Sequence, residues 1–350
     1  MSGGVDSAVA AGILVERGYD VIGVTMKMYA PTRPAHARSC CGADDFDDAR
    51  RSASILGIPH YVLDFEAAFR REVVDRFAGA YAAGRTPNPC VDCNAFIKLG
   101  TLRRFAQRIG AARVATGHYA RLEHGPAGAR LFAAADLEKD QSYALAALRA
   151  DQLAELLLPL GGSTKAQTRA DARRLGLPVH DKPDSQDICF VEGGDYRQAL
   201  ADRGVPAGAR GPVVTTTGEA VGTHQGIAHY TVGQRRLLPP THFNDGPRYV
   251  ARIDAATNTL VIGRSGELGS GALVATGVNL LRPERFTGAT PVLAMTRYRA
   301  PLAPATATVE GDRLHLAFAR PEHAVAPGQL VALYDDAGEV LGAATIAEAC

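Results

Sequence analysis

Between residue 7 and about residue 190 the apolar positions follow two alternating periods. Over Ser7–Arg17, Val9, Ile13 and Leu14 recur at helical spacing, and Gly18 follows as a residue able to take the left-handed stop conformation. Val21–Thr25 is a short β-rich run and predicts a buried strand. Helical spacing returns over Asp47–Leu56 and ends at Gly57. Tyr61–Phe65 predicts a second strand, Glu66–Ala83 one long helix, Asn94–Ile109 another helix, and Arg113–Thr116 a third strand. Strands separated by helices predict βαβ units and a parallel sheet covered on both faces. Past about residue 195 the pattern changes. Gly, Pro and Thr punctuate alternating runs at Tyr249–Ile253, Thr259–Ile262, Ala305–Val309 and Leu314–Phe318, which predicts antiparallel β in two small barrels or sandwiches. Boundaries fall near 195 and 268, and no internal repeat appears.

Composition narrows the class. A chain of 350 residues with 46% apolar and 21% charged side chains is long enough for two or three domains, each with a core. The longest apolar run, Ala8–Val15, is far shorter than the roughly 18 residues of a membrane span, and the opening residues carry no signal-peptide pattern. Six cysteines in this length do not make a disulfide scaffold, so a reducing cytoplasm is the expected location. Clustered cysteines are then read as catalytic, redox-active or metal-binding. The net charge of +1 hides an uneven distribution: residues 196–300 carry 12 arginines against 6 acids, and the last fifty residues carry 2 basic against 7 acidic side chains. A basic middle segment favours a polyanionic partner. Only five of the 38 basic residues are lysine. Codon bias in a GC-rich gene explains that as well as the fitness of Arg for phosphate forks and base stacking does.

The chain opens Met1-Ser2-Gly3-Gly4-Val5-Asp6-Ser7 and runs straight into a helix. Glycines let backbone N–H groups approach an anion, and a helix N-terminus adds a favourable dipole. No Lys-Ser/Thr pair follows, so this is not a Walker A loop. The SGGxDS string resembles the pyrophosphate loop of the PP-loop ATPases, which transfer AMP and release pyrophosphate. That resemblance implies a central apolar strand leading into the loop, where this sequence shows only Met1. An in-frame strand of about six to ten residues upstream of Met1 is therefore expected.

Two thiol-bearing strings follow. In Arg85-Thr-Pro-Asn88-Pro-Cys90-Val-Asp-Cys93-Asn94, Pro87 and Pro89 stiffen the connection between two helices. The next helix is expected to start at Cys93 or Asn94, where its dipole favours thiolate and makes Cys93 a plausible nucleophile. About a hundred residues on, Asp184-Ser-Gln-Asp187-Ile-Cys189-Phe190 supplies a second thiol. Cys40, Cys41 and Cys350 read as non-catalytic. The acidic Asp44–Asp48 cluster reads as helix-dipole complementation without chemistry.

Together with Thr116-Gly117-His118-Tyr119, Lys139-Asp140-Gln141-Ser142-Tyr143, His229-Tyr230-Thr231-Val232-Gly233-Gln234-Arg235, Thr296-Arg297-Tyr298-Arg299 and Pro327-Gly328-Gln329, these strings closely resemble the bacterial and organellar tRNA-specific 2-thiouridylases over essentially the whole chain. The resemblance implies an α/β fold: a PP-loop, adenine-nucleotide α-hydrolase-like catalytic domain over 1–195, a small central tRNA-binding domain over 196–268, and a C-terminal β-barrel over 269–350. It implies that Ser2, Gly3, Gly4, Val5, Asp6 and Ser7, with Met26 and Gly117, bind ATP, which enters with Mg²⁺. Asn88, Pro89 and Cys90 lie beside the target base. His118, Lys139, Asp140, Gln141, Arg297, Tyr298 and Gln329 match tRNA-contacting positions. Cys93 matches the nucleophile and Cys189 the persulfide carrier, the two passing through a transient Cys93–Cys189 disulfide.

The implied reaction adenylates C2 of wobble uridine 34 in the tRNAs for Lys, Glu and Gln and replaces its oxygen with sulfur supplied by a sulfur-relay protein or cysteine desulfurase. The base must be splayed from its loop to react. Many thiouridylases carry Asp where this chain has Cys90. A C-x-x-C plus Cys189 therefore leaves a second arrangement open, a [4Fe–4S] cluster on Cys90, Cys93 and Cys189. Leu237–Arg248, with Pro-Pro-Thr-His-Phe-Asn, departs from the usual Gly-rich stretch. Two rival functions remain at this level. One is an AMP-forming ligase that does not need both thiols, and the other a tRNA-binding protein without ATPase activity.

Overall fold

The computed structural model describes residues 1–29, 43–184, 188–191, 194–239, 243 and 246–350. Cys40 and Cys41, the Ser185–Asp187 stretch of the Cys189 string, and parts of the 237–248 loop lie outside the described residues. The described chain forms two compact units. The first comprises 1–74, 90–195 and 337–340, and the second comprises 75–89, 196–336 and 341–350. Among the described residues no helix is long and apolar enough to cross a membrane.

The first unit is built around helix α1 (Val5–Glu16). Its sequence is small and apolar on every side, and Val5, Ala8, Val9, Ala10, Ala11, Gly12 and Leu14 are all buried. An amphipathic surface helix would show one apolar face; this one is wrapped. Helix α2 (Ala43–Ile55) lies between strands β1 (Gly23–Lys27) and β2 (His60–Asp64), which pair in parallel from Gly23↔His60 to Lys27↔Asp64. A second parallel ladder joins β3 (Val114–Ala115) to β6 (Leu156–Leu157), and β4 (Arg121–Gly125) with β5 (Gly128–Phe132) forms an antiparallel hairpin. The expected parallel sheet is thus present as two short, separate ladders. Helix α3 (Lys165–Arg174) begins at a capping box in which Thr164 accepts from the Gln167 N–H. Its neighbour Leu175 comes so near α1 that a Cβ on Gly12 would lie 2.5 Å from the Leu175 side chain.

Two expected helices are broken. Glu66–Ala83 divides into Glu66–Phe69, a π-helical turn Arg70–Val74, and Asp75–Ala82. The helix expected from Asn94 instead begins at Pro89, passes through π-helical winding over Cys93–Leu102 and continues as α-helix over Arg103–Arg108.

In the second unit Asp75–Ala82 buries Phe77 and Tyr81, and Tyr81 stacks on Tyr196 with ring centroids 4.5 Å apart. Strands β7 (Gly211–Thr215), β8 (Ala220–His224), β9 (Tyr249–Asp254) and β10 (Thr259–Gly263) form an open sheet in the order β8-β7-β10-β9. Strands β11 (Gly269–Leu280), β12 (Thr290–Met295), β13 (Ala303–Glu310), β14 (Arg313–His323), β15 (Leu330–Tyr334) and β16 (Val340–Ala349) close a barrel in the order β11-β14-β13-β12-β15-β16. Leu273, Leu316, Val331, Leu333, Leu341 and Ile346 fill its interior. Of the two small barrels or sandwiches expected, the second is a closed six-stranded barrel, and the first is a four-stranded sheet among the described residues.

Candidate active site

The loop that opens the chain is shaped by two contacts that leave no room for side chains. Gly3 takes φ +70°, and a Cβ there would lie 2.3 Å from the Asp45 carbonyl oxygen. Gly117 passes so near the start of α1 that a Cβ would lie 2.6 Å from the Asp6 carbonyl carbon. The hydroxyls of Ser2 and Ser7 are 3.1 Å apart, and the Ser2 N–H donates to Ser7 Oγ. Gly4 caps α1 without a side-chain acceptor, so the first-turn amides are left for a ligand. Amides, hydroxyls and a helix N-terminus together make a cradle for a polyanion. Met26 is half-buried in β1, and Thr25 beside it donates its hydroxyl to the Met1 carbonyl at 2.7 Å.

Cations and acids from distant parts of the first unit converge on this loop. Lys165 Nζ contacts both carboxylate oxygens of Asp6 at 2.7 and 2.9 Å and Asp184 Oδ1 at 2.7 Å. The Tyr119 hydroxyl donates to Asp6 Oδ1 at 2.9 Å, and burial, reinforced by the Asp6 charge, pushes its pKa well above the ordinary phenol value. Asp184 is also bound by Lys139 at 2.8 Å and Arg169 at 3.3 Å. Burial opposes ionisation of Asp184, but the lysine hydrogen bonds outweigh it and hold the carboxyl below its usual range. Lys182 donates to the Gly3 carbonyl at 2.9 Å while pairing with Asp45 and Asp48. The acidic start of α2 thus does more than complement a dipole: Asp45 and Asp48 share a lysine with the loop.

His118 stands between Lys98 and Thr116. An ammonium can only donate, so His118 Nε2, 3.4 Å from Lys98 Nζ, is the acceptor. Nδ1 then carries the proton and donates to Thr116 Oγ1 at 2.8 Å. Burial first, and the Lys98 charge second, lower the His118 pKa well below 6.5 and keep the ring neutral. The next segment is knitted into the fold. Asp140 accepts from the Ala134 N–H and the Ser142 hydroxyl, and Gln141 exchanges hydrogen bonds with the Tyr119 backbone.

Of the thiols, Cys90 is exposed, Cys93 buried and Cys189 half-buried, with neighbouring Phe190 packed edge-on against Phe69. Because the helix begins at Pro89, Cys93 sits a full turn inside it, and the helix dipole reaches Cys90 more strongly than Cys93. Cys93 opens the π-helical winding, a geometry frequent at functional sites. Buried Gln152 donates to the carbonyls of Ala95 and Leu99, and Asn94 donates to Ala144 O. Among the described residues no three His, Cys, Asp or Glu side chains are grouped to hold a metal ion. Cys90, Cys93 and Cys189 are among the described residues and are not grouped in this way.

In the second unit the Pro327–Gln329 turn of the barrel grips the segment that leads to the cysteines. Gln329 Nε2 donates to Thr86 O at 2.9 Å and Pro87 O at 3.3 Å, and the Thr86 N–H donates to Pro327 O. Asn88 and Pro89 continue from that segment. Arg297 reaches the His323 carbonyl, and Arg299, at φ +62°, lies over the exposed Tyr298 ring.

Sequence reasoning missed Lys165, Lys182 and the partners they bridge. A signal was available. In a chain that overwhelmingly prefers Arg, lysine is kept at only five positions, 27, 98, 139, 165 and 182, all in the first unit. Four of them contact the loop, His118 or Asp184.

Comparison with known proteins agrees in every part of the chain. Residues 1–193 match the family described as tRNA methyl transferase HUP domain, residues 200–264 its PRC-barrel domain, and residues 270–346 the aminomethyltransferase beta-barrel domain. The tRNA-specific 2-thiouridylase MnmA of Xanthobacter autotrophicus is 46% identical, with 100% of this chain and 92% of the relative covered. The proteins of the same name from Paracoccus denitrificans (44%; 98% and 89%) and Acidothermus cellulolyticus (45%; 99% and 96%) are as similar. A solved NMN synthetase from Francisella tularensis matches 53% of the chain and 63% of its own at 21% identity and a TM-score of 0.32, too slight a likeness to argue from.

Proposed function

The chain belongs to the tRNA-specific 2-thiouridylases, ATP-using sulfurtransferases that act on tRNA, and from that premise we propose how its residues divide the reaction. The substrate base is uridine 34 in the tRNAs for Lys, Glu and Gln. The observation that carries the reading is the Ser2–Ser7 cradle with its first-turn amides left open and its Asp6 neutralised by Lys165. Ser2–Ser7, flanked by Met26 and Gly117, hold the pyrophosphate end of ATP and leave the α-phosphorus open. Mg²⁺ enters with ATP.

The uridine C2 oxygen attacks the α-phosphorus and pyrophosphate departs, which turns a poor leaving group into AMP. Cys189 receives a persulfide from a sulfur-relay protein or cysteine desulfurase. Cys93 thiolate attacks the inner sulfur of that persulfide and forms a Cys93–Cys189 disulfide. The terminal sulfur is released as sulfide, or leaves after it has bonded to C2; both orders give the same disulfide and a thiocarbonyl, with AMP expelled. A dithiol reductant returns both cysteines. Asn88, Pro89 and Cys90 flank the base, with the segment before them held by Gln329. His118, Lys139–Gln141, Arg297 and Tyr298 contact the tRNA.

Cysteine variants test this division. Cys93→Ala and Cys189→Ala should abolish thiolation while tRNA-dependent AMP release continues, and Cys90→Asp should stay active with no iron in anaerobically purified protein. Near-stoichiometric iron and sulfide, lost together with activity in Cys90→Asp, would overturn the disulfide cycle.

A further inference from the structure

The carbonyl of Gly3 is held from outside the loop. Lys182 Nζ donates to it at 2.9 Å, to Asp45 Oδ1 at 2.6 Å and to Asp48 Oδ2 at 2.7 Å. An ammonium carries three hydrogens in a tripod, and these three acceptors take them. Burial opposes charge on Lys182, but its hydrogen bonds to Asp45 and Asp48 outweigh that and raise its pKa, so the tripod stays charged. Gly3 is also packed closely against the start of α2, where a Cβ would lie 2.3 Å from the Asp45 carbonyl oxygen. The peptide that joins Gly3 to Gly4 is trans, so its C=O and N–H point in opposite directions. A Gly3 carbonyl turned towards Lys182 therefore turns the Gly4 N–H away from it. Gly4 is the N-cap of α1, and its own carbonyl accepts from the Ala8 N–H and the Ser7 hydroxyl.

We propose that Lys182 is a positioning residue for the phosphate loop: by fixing the Gly3 carbonyl it aims the Gly4 amide at the terminal phosphates of ATP. The inference rests on the reading of Ser2–Ser7 as a pyrophosphate site. A Gly-Gly peptide has little steric preference of its own, so without the lysine it can flip at small cost. The flip sets a carbonyl oxygen against the phosphates where an N–H stood, and a hydrogen bond becomes a repulsion. The same ammonium offsets the charge of Asp45 and Asp48, which alone would oppose an anion in the loop. Orientation and charge are therefore the two effects to separate.

Calorimetry on the full chain, with unmodified tRNA present, separates them. The ligands are inorganic pyrophosphate, α,β-methylene ATP, which cannot transfer AMP, and AMP itself. The decisive variant combines Lys182→Met with Asp48→Asn. It removes the donor to Gly3 together with one carboxylate, so the net charge of the cluster is unchanged and the fold is spared an extra unpaired acid. Pyrophosphate and the analogue should bind this variant roughly tenfold to hundredfold more weakly than wild type. AMP, which lacks the terminal phosphates, should bind as before, a selectivity that a merely structural role would not produce. Lys182→Met alone should lose at least as much pyrophosphate affinity. Wild-type pyrophosphate affinity in the double variant would show that Lys182 only offsets charge, and would overturn the proposal. An equal loss for AMP and pyrophosphate would overturn it as well, since that is general damage to the site. If neither pyrophosphate nor the analogue binds the wild-type protein, the pyrophosphate-loop reading itself fails.

Discussion

Burial, with the Lys98 charge beside it, holds His118 neutral, and that sets a pH dependence at the residue scale. The folded-state pKa of His118 lies well below 6.5, so the folded protein resists a proton that the unfolded chain accepts. The stabilisation is therefore present above pH 6.5 and is lost as the pH falls below it. His118→Asn should reduce the loss of stability on acidification below pH 6.5, followed by urea midpoints; an unchanged pH profile would mean that His118 protonates freely in the fold. Single residues also mark the limit of sequence reading. The loop serines and glycines and both reactive thiols announce themselves because their chemistry depends on neighbours a few residues away. Lys165 reaches Asp6 across 159 positions and Lys182 reaches Gly3 across 179. No local pattern encodes such pairings. Only the scarcity of lysine hinted at them.

Helical spacing located the elements but not their winding. Asn94–Ile109 reads as one ordinary helix, yet the structure starts it at Pro89 and winds Cys93–Leu102 with i→i+5 bonds. Apolar spacing marks a helix here, and tertiary partners choose its winding. Gln152 is one of them, 2% exposed and donating to both Ala95 O and Leu99 O. Gln152→Leu should leave these carbonyls short of a donor at a cost of about 1–3 kcal/mol, or roughly 5- to 150-fold faster hydrogen exchange across residues 95–103. Unaltered exchange there would assign the π-winding to some other cause. The strands show the reverse limit. β13 and β14 were legible because alternation survives where one face is buried, and β10 as a short run buried on both faces, whereas closure of six strands into a barrel depends on long-range pairing such as β11 with β16.

At the scale of the whole molecule, periodicity divides the chain in sequence order, near 195 and 268, whereas the compact units exchange segments. Residues 75–89 join the second unit and 337–340 the first. Buried Glu339, clamped by Arg130 of the β4–β5 hairpin, anchors the latter exchange. Charge is likewise a property of the whole. The excess of arginine over acid in residues 196–300 includes exposed Arg235 and Arg236. Neutralising both should weaken binding to every substrate tRNA and flatten the log–log salt dependence by about 1–2; an unchanged slope would place these side chains away from phosphate. The central claim, that this chain joins ATP cleavage at the Ser2–Ser7 loop to sulfur transfer at Cys93 and Cys189, is met most directly by nucleoside mass spectrometry. Unmodified tRNA is incubated with the protein, ATP, a dithiol reductant, and cysteine with a cysteine desulfurase as the persulfide donor, its anticodon loop is digested, and nucleotide products are measured in the same reaction. The account predicts 2-thiouridine at position 34 formed together with AMP and pyrophosphate. Uridine left unchanged while AMP accumulates, or ADP as the main product, would contradict it.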